Sequence, residues 1–289
     1  MFKGTFTALV TPFNHGSFDV ACYEQQIRFQ ARHKVTGIVA VGTTGESPTL
    51  SHEEHHLVIE TAVRAGHKAG LKVLAGTGSN STAEAVDLSR HAQRAGADAV
   101  LCVNPYYNKP TQEGLYRHFK AIARAVAIPV VLYNIPGRTN VTMTVATMAR
   151  LAKDCRNITT VKDATGNPDM TTQAVAAGMT VLSGDDSLTL PMMAVGAVGV
   201  ISVASNIVPG EVRKLVEAAL AGNFVRGRQF HQRIFALCKA LFVETNPIPV
   251  KTAMALLGRD SGELRLPLCE ASSANRAIIR QALVQIGLL

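Results

Sequence analysis

Short runs of apolar, β-favouring residues recur along the chain, and a helix-length segment follows each. The runs are Thr5–Val10, Gly37–Val41, Lys72–Gly76, Asp98–Val103, Pro129–Asn134, Ile158–Lys162, Thr180–Ser183 and Val198–Val203. They are continuously hydrophobic rather than alternating, as strands of a parallel sheet buried on both faces should be. Between them, Ser51 with Glu54 and Ser81 with Glu84 form capping-box patterns, and Thr111 with Glu113 and Gly114 opens another helix. Gly66, Gly96 and Gly178 stand where helices are expected to stop. Beyond about Asn223 the strand pattern ends, and helical stretches over 224–243, 248–258 and 272–287 follow. Eight strand–helix repeats predict an α/β fold: a (β/α)8 TIM barrel over 1–223 that carries the active site, with a C-terminal helical subdomain over 224–289. An open doubly wound sheet is the alternative, but Gly76-Thr77-Gly78 lacks the third glycine of its phosphate-binding turn.

Composition narrows the class. With 47% hydrophobic and 17% charged residues, the chain reads as core-rich and globular. The formal net charge is +8, yet the basic residues are dispersed. The nearest cluster, Arg226, Arg228, Arg233 and Lys239, reads as a solvated helix face, so no nucleic-acid partner is expected. The five cysteines are far apart and form no CxxC pair, which suits a reduced, cytoplasmic protein. The start of the chain lacks a signal-like basic and apolar stretch. Ser187 to Gly210 is uncharged and long enough to cross a bilayer, but Pro191, Gly196, Gly199 and Pro209 punctuate it. A helix, a buried strand and a loop are expected there, and no membrane partner.

In such barrels chemistry gathers at the C-terminal ends of the strands. Those ends carry Gly42-Thr43-Thr44-Gly45-Glu46-Ser47, Asn104-Pro105-Tyr106-Tyr107-Asn108, Tyr133-Asn134-Ile135-Pro136-Gly137-Arg138, Val161-Lys162-Asp163-Ala164 and Ser183-Gly184-Asp185-Asp186. Lys162 closes an apolar strand, where an amine is costly unless used or paired with Asp163 or Asp186. Partial burial favours the neutral, nucleophilic form of a lysine amine in general. Tyr133 ends the neighbouring strand, where a phenol can relay protons. The planar fork of Arg138 suits a carboxylate. The Gly42–Gly45 turn offers backbone N–H groups and two hydroxyls to an anion.

These segments resemble the dihydrodipicolinate synthase family of class I aldolases, which includes N-acetylneuraminate lyase and 2-keto-3-deoxy sugar acid aldolases. The likeness spans the chain, from Thr11-Pro12-Phe13 to Asn246-Pro247-Ile248-Pro249-Val250-Lys251. It implies a Schiff-base lyase that condenses pyruvate with aspartate 4-semialdehyde towards lysine and diaminopimelate, without metal or organic cofactor. Another pyruvate-forming aldolase of the family is the alternative. The resemblance gives Lys162 as the imine-forming lysine and Thr44, Tyr107 and Tyr133 as the proton relay. It gives Thr43 and Thr44 as the pyruvate carboxylate site, with Ile201 and Gly184 as further substrate contacts. Arg138 would hold the second carboxylate, and Tyr107 would be lent to a neighbouring subunit within a homotetramer built from tight dimers. Ser47, His52, His55, Asn80, Glu84 and Tyr106 match positions that bind lysine in feedback-inhibited members. Two departures are Asp163, where Glu is common, and Asn140, where Gly is frequent. A rival pattern is His52-Glu53-Glu54-His55-His56, an H-E-x-x-H zinc-peptidase motif in which His52 and His56 would be ligands and Glu53 the base. A barrel that senses lysine without turnover is a third reading.

Overall fold

The computed structural model describes residues 2–289. Eight parallel strands close into a barrel: β1 Gly4–Ala8, β2 Gly37–Ala40, β3 Lys72–Gly76, β4 Ala99–Val103, β5 Val130–Asn134, β6 Thr160–Asp163, β7 Thr180–Ser183 and β8 Gly199–Ser202. β8 pairs with β1, so no edge is left open and the doubly wound alternative does not hold. A two-residue hairpin, Phe13–Asn14 with Ser17–Phe18, lies between β1 and the first helix. One main helix follows each strand: α1 Val20–Arg32, α2 His52–Lys68, α3 Thr82–Ala95, α4 Gln112–Ala125, α5 Val145–Asp154, α6 Pro168–Ala176, α7 Thr189–Ala194 and α8 Pro209–Leu220, and a single helical turn, Pro136–Thr139, carries Arg138 ahead of α5. After them come α9 Phe224–Ala240, α10 Ile248–Leu256 and α11 Ser273–Gln285. Among the described residues, no helix is long and apolar enough to cross a membrane. The apolar stretch at Ser187 to Gly210 is divided among α7, β8 and the start of α8.

Hydrophobic packing forms two layers. One fills the barrel with Phe6, Ala8, Val39, Leu74, Leu101, Val131, Tyr133, Leu182 and Ile201. The other lies between strands and helices, as the helix periodicity requires. α4, for instance, buries Leu115, Tyr116, Phe119, Ile122 and Ala123 along one face.

The local signals fared unequally. Ser51 and Glu54 make a complete capping box, and Thr111 caps α4 through the Gly114 N–H. Ser81 begins α3 without any side-chain cap, and the reciprocal half of the box is missing too: the Glu84 carboxylate bonds Ser79 and His52, while the Ser81 N–H donates to Ser79 Oγ. Gly96 and Gly178 adopt left-handed conformations just past α3 and α6. Gly66 does not end its helix. It lies inside α2, where a Cβ would come within 2.6 Å of Val73 Cγ2, so it serves the close approach of helix to strand.

Candidate active site

Strand register decides where Lys162 points. Its partner on β5 is Tyr133 and its partner on β7 is Leu182, and both belong to the barrel interior. Paired residues share a face, so the lysine enters the barrel mouth rather than the helix layer. Lys162 is 6% exposed, with Nζ 4.0 Å from the Tyr133 ring centroid. Neither expected acidic partner takes it. The Asp163 carboxylate accepts from Thr165 N and Oγ1 and from Thr171 Oγ1, which ties down the loop after β6. Asp186 accepts from Ser202 Oγ and the N–H groups of Val203 and Ala204, although burial raises its carboxyl above the ordinary range. Gly184 faces the lysine stem. A Cβ there would stand 3.1 Å from Lys162 Cε and 2.7 Å from Ala164 Cβ.

Thr44 is buried on the turn after β2, and its Oγ1 accepts from Asn246 Nδ2 at 3.0 Å. The Asn246 carbonyl in turn accepts from Arg138 Nη2 at 3.0 Å. The Arg138 loop is anchored by two buried amides. Asn104 donates to Asn134, and Asn134 bonds both backbone groups of Met143. Asn140 has φ +55°, which Asn tolerates better than most residues, so its replacement of Gly leaves the loop geometry accessible. Ile201 is buried in the barrel core. Tyr107 stands apart. It is 90% exposed at φ +71°. The link through Asn246 was not visible in the sequence. The motif stands out, but its partners lie 202 and 108 positions away.

A cavity of about 370 Å³ runs from Thr43, Tyr133 and Arg138 to Ser47, His52, His55, Glu84 and Tyr106. Asn80 is not among the residues lining it; its carbonyl accepts from Asn108 Nδ2 at 2.9 Å. His52 Nε2 meets Glu84 Oε1 at 2.8 Å. Bonds from Ser79 and His52 hold the Glu84 carboxyl below its usual range. Burial pushes His55 down to about 4, and burial with Glu84 nearby raises the Tyr106 phenol. His56 stacks on His91 with centroids 3.7 Å apart, so His52 and His56 face different partners. Among the described residues, no group of three or more His, Cys, Asp or Glu is placed to hold a metal.

The family model described as "Dihydrodipicolinate synthetase family" matches residues 1–286. The chain belongs to the dihydrodipicolinate synthetase family. Family relatives are similar over their whole length. The 4-hydroxy-tetrahydrodipicolinate synthase of Methanocaldococcus jannaschii is 51% identical over 290 residues, with 100% of each chain covered. The solved dihydrodipicolinate synthase of Aquifex aeolicus superposes with a TM-score of 0.98 at 51% identity, covering 99% of both chains. The enzyme from Cyanidioschyzon merolae, solved with lysine bound, matches with a TM-score of 0.97 at 40% identity, covering 100% of this chain and 99% of that one. Members of this family are Schiff-base lyases on a barrel with added C-terminal helices, the arrangement found here.

Proposed function

We propose that this chain condenses pyruvate with L-aspartate 4-semialdehyde to give 4-hydroxy-tetrahydrodipicolinate, the product in the name of its relatives. The observation that carries the reading is the Lys162 amine inside the barrel mouth, against the Tyr133 ring and without a carboxylate partner. The neutral amine adds to the pyruvate ketone and water leaves, giving an imine. Loss of a C3 proton converts the imine to an enamine, which attacks the aldehyde carbon. The amine of the second substrate then attacks the imine carbon, closes the ring and releases Lys162.

Thr43, Thr44 and the backbone of their turn hold the pyruvate carboxylate, with Ile201 and Gly184 as neighbours. Arg138 holds the second carboxylate. Tyr133 and Thr44 move protons to and from the reacting centre. Tyr107 completes that relay in a neighbouring subunit. Its exposure and left-handed backbone suit a residue offered outwards, and they support a homotetramer of tight dimers. Ser47, His52, His55, Asn80, Glu84 and Tyr106 form the place for a feedback amino acid, with Glu84 as counter-ion to an amine. The region 1–223 carries this chemistry, and 224–289 packs against it as a helical subdomain.

Borohydride treatment with pyruvate, followed by mass spectrometry, is the direct test. One reduced adduct on Lys162 is expected, and an unmodified Lys162 refutes the mechanism. Turnover with aspartate 4-semialdehyde, compared with N-acetylneuraminate and 2-keto-3-deoxygluconate, separates the synthase from its sister lyases.

A further inference from the structure

The turn that carries Thr43 and Thr44 is strained. Val41 (φ +47°) and Glu46 (φ +54°) flank it in the left-handed region, which is unfavourable for a β-branched residue above all. Its internal bonds are Gly45 N to Gly42 O at 3.0 Å and Glu46 N to Thr43 O at 3.1 Å. Something outside the turn must hold this shape.

Glu46 is the handle. Its side chain is fully buried, as is that of Lys251, and Lys251 Nζ stands 2.7 Å from Glu46 Oε1. The same Nζ donates to Thr11 O at 2.9 Å and lies 4.4 Å from the Phe13 ring centroid. Thr11 also binds the turn directly, its Oγ1 donating to Gly45 O at 2.7 Å. The other Glu46 oxygen accepts from Arg265 N at 3.2 Å. Well-packed apolar residues would often stabilise such a place as well or better, so the ion pair's distinctive contribution is direction. Five residues before Lys251, Asn246 donates to Thr44 Oγ1 and accepts from Arg138 through its carbonyl.

We infer that Lys251 and Glu46 are positioning residues, whose buried pair sets the Thr43–Thr44 turn for pyruvate, while Asn246 ties that turn to the Arg138 loop. This rests on the reaction proposed above. The pair acts on the pyruvate half of the site alone, whereas Asn246 acts on both halves. With Asn246 Nδ2 donating to Oγ1, the Thr44 hydroxyl keeps its own proton free to donate elsewhere.

The test uses the full chain and compares the KM of each substrate. In Lys251→Met/Glu46→Gln, both charges are removed together, so no charge is left buried alone. We expect a cooperative thermal transition to persist, with pyruvate KM raised about tenfold or more and the KM for aspartate 4-semialdehyde within about twofold of the parent. Borohydride trapping at subsaturating pyruvate should slow in parallel. In Asn246→Ala both KM values should rise. A folded double variant that keeps the parental pyruvate KM and trapping rate overturns the inference, and so does an equal rise in both KM values. If the double variant does not fold, Glu46→Asp is read on the same ratio, with the same outcomes deciding. A parent chain that traps no pyruvate would instead sink the proposed reaction.

Discussion

Two lysines are buried in this molecule, each with its amine over an aromatic ring. Lys162 Nζ is 4.0 Å from the Tyr133 centroid, and Lys251 Nζ is 4.4 Å from that of Phe13. The difference is the partner. Lys251 has the Glu46 carboxylate and the Thr11 carbonyl, whereas Asp163 and Asp186, the partners expected for Lys162, are engaged with hydroxyls and backbone N–H groups. Burial of an amine therefore does not mark a nucleophile. An amine in a polar mouth with its neighbouring acids already satisfied is available for bond formation, while one saturated by a carboxylate and a carbonyl is a structural joint.

The sharpest way to break this comparison is to remove each amine. Lys162→Ala should lower kcat at least about 10⁴-fold, as loss of a covalent nucleophile does, while the melting temperature holds. A parental rate in steady-state assays would end the distinction. Lys251→Met alone should do the reverse to the fold. It leaves Glu46 buried without a partner, at a cost of about 3–5 kcal/mol in denaturant unfolding. If the single variant matched the parent in stability, Glu46 would have to be reaching water or another cation.

The same rule sharpens at His55, which is buried with a carbonyl partner, Gly76 O, but no carboxylate. Burial lowers it from 6.5 to about 4. Between those values the unfolded chain binds more protons than the folded one. Its contribution is thus complete above the upper value and is lost as pH falls towards the lower one, amounting to roughly 3 kcal/mol. Urea unfolding at about pH 7 and pH 4 should register that loss, and His55→Gln should flatten the slope. The smallest expected effect is at Gly184. Gly184→Ala presses on Lys162 Cε and Ala164 and should lower the trapping rate about tenfold by misplacing the amine. An unchanged rate would mean that the lysine stem has room to move.

The barrel was legible because its signals are local. Continuous apolar runs followed by capped helices recur eight times, and closure through β8 and β1 is the arrangement that buries every strand on both faces. Lys162, Tyr133, Thr44 and Arg138 could be singled out because polar and reactive residues at strand ends interrupt that regularity. Other local readings failed where tertiary contacts competed. Ser81 lacks its capping box, with Glu84 bonded to Ser79 and His52 and the Ser81 N–H to Ser79, and Gly66 was needed for packing rather than for stopping a helix. Tyr107 was assigned by resemblance alone, and at 90% exposure it has few surroundings within this chain that could have singled it out.

Periodicity, strand-end chemistry and family motifs, all readable along a single line, determined the barrel and the class of reaction and singled out Lys162 as the candidate imine-forming lysine. Tertiary structure decided which amine is left without a carboxylate, which asparagine joins Thr44 to Arg138, and which carboxylate pairs with Lys251 beside the Thr43–Thr44 turn. Those assignments depend on groups brought together from as far as 205 positions apart, such as Glu46 and Lys251. Hydrogen bonds and ion pairs act over a few ångströms of space, so no pattern local to either segment could have specified them.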